Sequence, residues 1–316
     1  MISIIVHGGA GTYSPGAEHE KALIATCEAA ARVLASGGSA CDAAVEATVL
    51  MENAPVLNAG YGSSLNLDGD VENDAAIMLD DMSCGSVAAL NGFANPILAA
   101  RHVMELTDHV LLVGRGAEAF ARHMGLAERD QRSPDRTERY RKALAKLERG
   151  EDIHFMPRLR AFYDELRSDP DWDDERDPES GTVGIVVRDG SGRMAAASST
   201  GGMMLKLPGR VGDTGVIGAG TYCDCRGGVS ATGHGEPVIR HGMGRGLVEA
   251  FAEVGAAGAM ERVMRTACDE SFEFGLIGIE AGGDVAIGYS TQAMSWAALE
   301  GDALRTFLSH PIPRST

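Results

Sequence analysis

The stretch ESGTVGIVVRDGSGRMAAASSTGG (residues 179–202) contains two apolar segments separated by a Gly-Ser-Gly turn. Two strand-like runs joined by such a turn are typical of a β-hairpin. A hairpin centred on Ser191 places Thr182 directly opposite Thr200, because both residues are equally distant from the turn. Directly paired residues have Cβ atoms about 4.5–5.5 Å apart, so the two hydroxyl groups are predicted to lie close together.

Thr182 follows a glycine and a strongly charged segment, a setting that is open to two interpretations. In the first, Thr182 and Thr200 are β-branched residues that simply favour a strand. In the second, the hydroxyl of Thr182 attacks the carbonyl of Gly181, which can adopt a strained conformation, and the chain is cut there. An N-terminal threonine can then act as a nucleophile with its own amine, of pKa about 7.7–8.0, as the base. The sequence has no G-x-S-x-G, H-E-x-x-H or P-loop motif that would indicate another chemistry.

The loop LPGRVGD (residues 207–213) places a cation and an anion close together soon after the hairpin. The guanidinium of Arg210 can hold a carboxylate through two hydrogen bonds, and the carboxylate of Asp213 can hold an ammonium group. Together they suit the head group of an α-amino acid. An internal salt bridge between these two side chains explains the same pair equally well.

Strand and helix patterns occur on both sides of a charged segment at residues 127–180, which is predicted to be a flexible linker. Its last part, SDPDWDDERDPE (168–179), holds seven acidic residues and two prolines and is not expected to fold by itself. Strands are predicted at 2–6, 182–189, 193–199, 229–232, 274–280 and 284–291, and helices at 18–36, 40–52, 96–107, 116–125 and 242–254. HGGAGT (7–12) is predicted to be a glycine loop. Two sheets between helical layers would bury both faces of so many short strands.

Composition and charge exclude several classes of function. The 316 residues include 45 acidic and 28 basic side chains, and the net charge of −17 argues against binding to nucleic acid or to an anionic membrane. We expect no targeting segment and no membrane span from the sequence. Six scattered cysteines predict reduced thiols and a cytoplasmic location. Cys223 and Cys225 have no second pair at zinc-ligand spacing, so no metal site built from side chains is expected.

An ordered set of motifs resembles the plant-type L-asparaginase/isoaspartyl peptidase family of N-terminal nucleophile hydrolases. The motifs are HGGAGT (7–12), LNAGYGS (57–63), PILAARHVME (96–105), GTVG (181–184), STGGMMLKLPGRVGD (199–213), GAGTY (218–222) and TGHGE (232–236). The resemblance implies an α+β fold, a four-layer αββα sandwich, and self-cleavage between Gly181 and Thr182. The products would be an α chain (1–181) and a β chain (182–316) that together form one folded domain. It also implies hydrolysis of L-asparagine and of N-terminal β-aspartyl (isoaspartyl) dipeptides.

The resemblance assigns roles to particular residues of this chain. Thr182 matches the nucleophile and Thr200 the threonine that assists it. Thr232 and Gly233 match the pair that stabilises the oxyanion, and Asn58 matches a supporting hydrogen bonder near the nucleophile. The residues that match the substrate pocket are Arg210, which would hold the α-carboxylate, Asp213, which would hold the α-ammonium, and Val211, Gly212, Thr232, Gly233, His234 and Gly235.

Partners and ions are also implied by the resemblance. The expected partners are small-molecule substrates, namely asparagine and isoaspartyl dipeptides, and a second processed αβ unit, which gives a heterotetramer with two copies of each chain. No cofactor is expected to be required for the chemistry. A structural Na⁺ is expected on backbone carbonyl groups near residues 51–60.

Some positions depart from the usual family pattern. The family commonly has Ser-Pro where this chain has Thr214-Gly215, and TQAMSWA (291–297) lacks the customary arginine after the methionine. These positions border the expected pocket and bear on substrate preference more than on reaction type. His234 is interpreted as a residue that lines the pocket and His7 as one that packs in a loop.

Two other functions stay open at this point. The first is a glycosylasparaginase or a threonine endopeptidase of the same fold, although Val183 stands where glycosylasparaginases usually have isoleucine. The second is a glycine-rich protein that binds a small ligand and is never cut.

Overall fold

Strands and helices occur throughout residues 1–149 and 181–315, the part of the chain that the computed structural model describes. The strands are β1 (Ser3–Gly11), β2 (Asn73–Leu79), β3 (Cys84–Leu90), β4 (Leu111–Val113), β5 (Val183–Arg188), β6 (Met194–Thr200), β7 (Thr221–Asp224), β8 (Gly227–Gly233), β9 (Phe274–Glu280), β10 (Val285–Tyr289), β11 (Ala293–Glu300) and β12 (Ala303–Thr306). The helices are α1 (Ala17–Ala35), α2 (Ala40–Asn53), α3 (Pro96–Leu106), α4 (Gly114–His123), α5 (Pro134–Glu148), α6 (Gly235–His241) and α7 (Met243–Glu270). The helix predicted at 242–254 therefore continues, beyond a break at Gly255, where φ is 70°.

The central hairpin has the register predicted from its glycine turn. Val183 of β5 lies opposite Ser199 of β6, and the pairing runs without a bulge towards the turn. Continued by one residue towards the open end, this register places Thr182 opposite Thr200. The predicted hairpin, centred on Ser191, is confirmed.

The strands form two sheets. The larger has the order β12-β11-β1-β5-β6-β2-β3-β4, so the hairpin lies at its centre, and all of its neighbours are antiparallel except β3 and β4. The smaller is an antiparallel sheet of order β10-β9-β8-β7. Strands β8 and β9 of the smaller sheet pack against β5, β6 and β1 of the larger one. Helices α1, α2 and α3 pack on the larger sheet and α7 packs on the smaller one, an arrangement consistent with a sandwich.

Alternation along β5 decides which way each of its side chains faces. Val183, Ile185 and Val187 belong to the apolar core that contains residues of α1 and α2. Val186 belongs to the second core, which contains residues of β8, β9 and α7. Because successive side chains of a strand point to opposite faces, Thr182 at the open end lies on the face of Val186, towards the smaller sheet.

The glycine stretch predicted as a loop at residues 7–12 is mostly strand, and this prediction is wrong. Strand β1 runs through it to Gly11, with a bulge between His7 and Gly9. The glycines there allow close approach instead of a turn. A Cβ atom on Gly8 would lie 2.8 Å from side-chain atoms of both Leu57 and Ser295, so a larger residue there would require these side chains to shift.

The predicted flexible linker at residues 127–180 also differs from the structure in its first part. Residues Pro134–Glu148 form α5, which begins with Ser133 as its N-cap and has proline in its first turn. Leu147 of this helix is buried in a small apolar cluster with Leu65 and Leu205. The remainder of the predicted linker, residues 150–180, lies outside the described residues. Within the described ranges, no helix is both long enough and apolar enough to cross a lipid bilayer.

Candidate active site

Thr182 lies at the open end of the hairpin and is 6% exposed. Its backbone nitrogen donates a hydrogen bond to Oγ1 of Thr232 on β8, 3.0 Å away. Its own Oγ1 lies 3.3 Å from Oγ1 of Thr214. Both groups that a threonine nucleophile would use, the nitrogen and the hydroxyl, therefore contact hydroxyl groups of other elements.

Gly181, the residue before Thr182, is close-packed against β1. A Cβ atom on Gly181 would lie 2.6 Å from the Cα of Gly9, and one on Gly9 would lie 2.9 Å from the Cα of Gly181. Contacts this short between two backbones cannot be relieved by rotating a side chain. Gly9 also has a φ of 121°, which side-chain-bearing residues rarely adopt, so both positions require glycine.

Thr200 lines the same pocket as Thr182, and its hydroxyl oxygen holds the loop that follows β6. Oγ1 of Thr200 accepts a hydrogen bond of 2.9 Å from the backbone nitrogen of Gly202. Within residues 1–149 and 181–315, the hydroxyl that lies within hydrogen-bond distance of Thr182 Oγ1 is that of Thr214, not that of Thr200. Thr200 is therefore near the predicted nucleophile and fixes the loop that follows β6.

Thr232 and Gly233 end strand β8 beside Thr182. Oγ1 of Thr232 accepts hydrogen bonds from the backbone nitrogens of Thr182 and of Ala10, the latter at 3.2 Å. Since both contacts use its lone pairs, its hydroxyl proton is available to an oxygen atom in the pocket. Gly233 has a φ of 114°, and a Cβ atom there would lie 2.6 Å from the Cα of Phe274, so this position also requires glycine.

Arg210 forms an ion pair with Glu236, not with Asp213. Its Nε and Nη2 atoms donate to the two carboxylate oxygens of Glu236 at 3.0 and 2.9 Å. A second contact of 3.3 Å joins Nε2 of His234 to the same carboxylate. Burial opposes the ionisation of Glu236, but His234 and the charge of Arg210 outweigh it and lower the pKa of this carboxyl to about 2. Glu236 thus fixes the guanidinium through Nε and Nη2, and Nη1 has no hydrogen-bond acceptor within residues 1–149 and 181–315.

Asp213 offers a buried carboxylate to the same pocket. The residue is 4% exposed, and burial raises the pKa of its carboxyl to about 7, although the charge of Arg210 opposes the shift. Oδ2 of Asp213 has no hydrogen-bond partner in the part of the chain that the structure describes. A buried acceptor of this kind is costly to leave unpaired and suits a cationic ligand.

The pocket between these groups comprises about 260 Å³ of empty space, part of which is open to solvent. It is lined by Gly181, Thr182, Thr200, Gly202, Met203, Arg210, Gly212, Asp213 and Gly233. Most of the predicted site residues therefore meet at one place. Of the others, Val211 contacts the 3₁₀ turn at Gly215, and His234 and Gly235 begin helix α6 beside Arg210 and Asp213.

Asn58 supports the site from outside this pocket. Its Nδ2 donates to the carbonyl of Gly202 at 2.8 Å, and its Oδ1 accepts from the backbone nitrogen of Ser64 at 2.8 Å. It faces a neighbouring cavity of about 210 Å³, which Gly181 also lines. Asn58 thus connects the loop before β2 to the loop after β6.

His7 lies beside the backbone of Thr182, a position that the sequence did not reveal. Burial lowers the pKa of its imidazole to about 3, although a contact with the Thr182 backbone raises it, so the ring is neutral. Its Nε2 atom lies 2.7 Å from Oγ of Ser230. Among the described residues, no atom forms a hydrogen bond of standard geometry with Nδ1, so the contact between the ring and the Thr182 backbone is weaker than a standard hydrogen bond. The interpretation of His7 as a loop-packing residue is wrong, because it lies in a strand and faces the smaller sheet.

Backbone carbonyl groups converge near the end of α2, where a cation was expected. A Cβ atom on Gly62 would overlap the carbonyl oxygen of Leu57 and lie 2.8 and 3.1 Å from those of Pro55 and Ala54. These distances show that Gly62 packs directly against the carbonyl groups of residues 54–57. Across the described residues, no group of three or more His, Cys, Asp or Glu side chains is placed to hold a metal ion.

Comparison with known proteins identifies the class to which this fold and site belong. The family model described as asparaginase matches residues 1–309. The chain belongs to this family. It is 40% identical over 313 residues to a plant-type L-asparaginase of Pyrococcus abyssi, with 95% of this chain and 97% of that protein covered. It is 38% identical over 314 residues to an isoaspartyl peptidase/L-asparaginase of Rattus norvegicus, with 96% and 87% covered.

Proposed function

We propose that this protein is an amidohydrolase that cuts its own chain and then hydrolyses the side-chain amide of L-asparagine and the β-aspartyl bond of N-terminal isoaspartyl dipeptides. The observation that supports it best is one pocket that contains the nitrogen and hydroxyl of Thr182, the guanidinium of Arg210 and the unpaired carboxylate of Asp213. The names of the relatives, L-asparaginase and isoaspartyl peptidase, describe the same chemistry.

The first reaction is cleavage between Gly181 and Thr182. The hydroxyl oxygen of Thr182 attacks the carbonyl carbon of Gly181, the bond from that carbon to the Thr182 nitrogen breaks, and the hydroxyl proton goes to the departing nitrogen. Water then hydrolyses the resulting ester, which leaves a carboxylate on Gly181 and a free amine and hydroxyl on Thr182. The products are an α chain (1–181) and a β chain (182–316).

The second reaction uses the new N-terminus. The amine of Thr182 takes the proton of its own hydroxyl, whose oxygen attacks the amide carbon of the substrate. The hydroxyl of Thr232 and the backbone N–H of Gly233 stabilise the oxyanion. Ammonia or an amine leaves with the proton, and water hydrolyses the β-aspartyl ester to free aspartate and Thr182.

The substrate head group is held by the opposite charges of Arg210 and Asp213, which both line the pocket. The free Nη1 of Arg210 donates to the α-carboxylate, and Oδ2 of Asp213 accepts from the α-ammonium. Such charge-assisted hydrogen bonds fix the β-carbonyl group relative to Thr182. A dipeptide with an N-terminal isoaspartyl residue presents the same head group as asparagine, which accounts for both substrates.

We also propose the arrangement of the whole enzyme. The packing of helices on both sheets supports an αββα sandwich, and two processed αβ units would assemble into a heterotetramer in the cytoplasm. The carbonyl groups of Ala54, Pro55 and Leu57 would hold a structural Na⁺, which would fix the end of α2 and the loop that carries Asn58.

Thr182→Ala tests this function directly. Wild-type protein, 33.1 kDa before cleavage, is expected to give two bands on a denaturing gel, to have a new terminus that begins Thr-Val-Gly-Ile, and to release ammonia from asparagine. Thr182→Ala is expected to stay as one band without activity, because both reactions need the hydroxyl. Thr182→Ser, which keeps a hydroxyl, is the control and should cut itself.

Two results would contradict the proposal. Hydrolysis of asparagine by Thr182→Ala would remove the nucleophile, and an uncut wild-type chain without activity would favour a small-ligand-binding protein. Release of an aminated sugar from glycosylasparagine, faster than ammonia from asparagine, would instead indicate a glycosylasparaginase.

A further inference from the structure

The hydroxyl of Thr214 lies within hydrogen-bond distance of the hydroxyl of Thr182. The two Oγ1 atoms are 3.3 Å apart. Thr214 is fully buried, and Thr182 nearly so, which means that water competes little for this contact. Among the described residues, Thr200, the threonine expected to assist, forms no hydrogen bond with Thr182 Oγ1, and its oxygen accepts from the backbone of Gly202.

The turn that carries Thr214 is fixed on both sides. It is the 3₁₀ turn Asp213–Gly215, whose first carbonyl accepts hydrogen bonds from the nitrogens of Val216 and Gly220, both at 3.0 Å. Its last carbonyl, that of Gly215, accepts a hydrogen bond of 2.8 Å from the hydroxyl of Ser86 on β3. The Thr214 hydroxyl is therefore held in place by backbone bonds that do not involve Thr182.

A chain of buried hydroxyl groups connects this turn to His7. Thr221 Oγ1 lies 3.5 Å from the carbonyl oxygen of Thr214 and donates to Ser198 Oγ at 2.7 Å. Ser198 and Ser230 are 2.8 Å apart, and Ser230 is 2.7 Å from Nε2 of His7. The Ser198 oxygen accepts from Thr221, and the contacts to Ser230 and to the neutral imidazole continue the chain. The groups on either side of Thr182 are thus parts of one network.

We propose that Thr214 is a further catalytic residue, whose hydroxyl donates a hydrogen bond to Oγ1 of Thr182. This inference rests on the proposed function. The amine of Thr182 must receive the proton of its own hydroxyl, so in the contact between the two threonines Thr214 is the donor. When the β-aspartyl ester breaks, the carbon–oxygen bond to Thr182 is lost and its oxygen leaves with the electron pair. The Thr214 proton lies where this negative charge develops, and the Thr182 oxygen then regains its proton from the amine.

The same contact acts during self-cleavage. The Thr182 oxygen must approach the carbonyl carbon of Gly181, and the contact with Thr214 limits the rotation of its side chain. The β-branched side chain of Thr214 also restricts the orientation of its hydroxyl.

Thr214→Val and Thr214→Ser test the proposal with the full chain. Valine keeps the volume and branching of threonine but removes the hydroxyl, whereas serine keeps the hydroxyl. Loss of one donor to a developing negative charge typically lowers kcat by about 100- to 1000-fold. Because the lost donor acts when the ester breaks, the ester is expected to accumulate in Thr214→Val, so that kcat for asparagine falls by about that factor and KM falls with it. Thr214→Val is also expected to cut itself more slowly. Thr214→Ser is expected to stay within about threefold of wild type.

The measurements are self-cleavage time courses on denaturing gels, kinetics of ammonia release, and melting temperatures. Thr221→Val is the control for damage to the buried network, since Thr221 does not touch Thr182. A Thr214→Val protein with wild-type kcat would overturn the proposal, as would equal losses in Thr214→Val and Thr214→Ser, or in Thr214→Val and Thr221→Val. If Thr214→Val is not cut, its kcat cannot be measured and the extent of self-cleavage is compared instead. The proposal then holds only if Thr214→Ser is cut and the two variants have the same melting temperature. Wild-type protein that neither cuts itself nor releases ammonia would overturn the proposed function instead.

Discussion

Two groups of the proposed enzyme must lose a proton before catalysis, and their pKa values predict its pH dependence. Asp213 must be ionised to hold the substrate ammonium, and burial raises the pKa of its carboxyl to about 7. The amine of Thr182 must be neutral to act as a base, and a free α-amine has a pKa of about 7.7–8.0. Both groups deprotonate as pH rises, so activity rises with pH through this range.

The two kinetic parameters separate the two groups. Because kcat/KM reports ionisations of the free enzyme, its logarithm is expected to rise with a slope of about 2 per pH unit below both pKa values. At saturation the substrate ammonium already occupies the Asp213 site and keeps the carboxylate ionised. The logarithm of kcat is therefore expected to rise with a slope of about 1, from the amine of Thr182 alone.

Asp213→Asn removes one ionisation while keeping the size of the side chain. The slope of log kcat/KM at low pH is expected to fall from about 2 to about 1. A hydrogen bond to a charged group contributes about 1.5–3 kcal/mol, so KM for asparagine is expected to rise about 10- to 150-fold. The assay is the initial rate of ammonia release between pH 5 and 9 at constant ionic strength, with self-cleavage checked on gels.

Asp302→Asn is the matched control, because Asp302 is exposed in the turn between β11 and β12 and its substitution makes the same change in net charge. It should leave slope and KM unchanged. If Asp213→Asn kept the slope of about 2 and a KM within twofold of wild type, Asp213 would not hold the ammonium group, and our account of the head group would be wrong.

Two further substitutions test the packing around the site. Gly181→Ala is expected to prevent self-cleavage, since its Cβ would lie 2.6 Å from the Cα of Gly9 and displace the bond to be cut; Gly190→Ala, in the open hairpin turn, should cut normally on the same gel. Glu52→Ala removes the acceptor of hydrogen bonds from Ile97, Asn95 and Ser199 and is expected to lower the free energy of unfolding in urea by about 3 kcal/mol or more. The exposed Glu46→Ala on the same helix should change it by less than about 0.5 kcal/mol, and equal stabilities of the two variants would contradict the prediction.

Local patterns predicted the parts of the site that depend on the neighbouring sequence. The position of Thr182 opposite Thr200 follows from the distance of each residue to one turn. Arg210 and Asp213 lie on one loop, so the sequence could place them on the same pocket. The ion pair of Arg210 with Glu236 could not be predicted, because the sequence does not show that Glu236 lies in the first turn of a helix that faces this loop.

The contacts that could not be predicted from the sequence join residues that are far apart along the chain. Thr214 lies 32 residues from Thr182 along the chain, and its hydroxyl reaches Thr182 only because a 3₁₀ turn covers the open end of the hairpin. The stretch at residues 7–12 was predicted as a loop because glycine usually ends a strand. Here glycine serves close packing, and the contact that requires it, between Gly9 and Gly181, is invisible without the fold.

The register of one hairpin determines whether this site exists at all. Thr182 faces β8 because it lies an even number of residues from Val186, on the side of the strand that contacts the smaller sheet. A slip of one residue in β5 would exchange its two faces and point Thr182 towards the core beneath α2, away from Thr232 and Thr214. The alternating valines and isoleucine of β5 oppose that slip, since a slip would move Val183, Ile185 and Val187 out of the core that they fill. The apolar side chains that hold the larger sheet to its helices therefore also aim the proposed nucleophile.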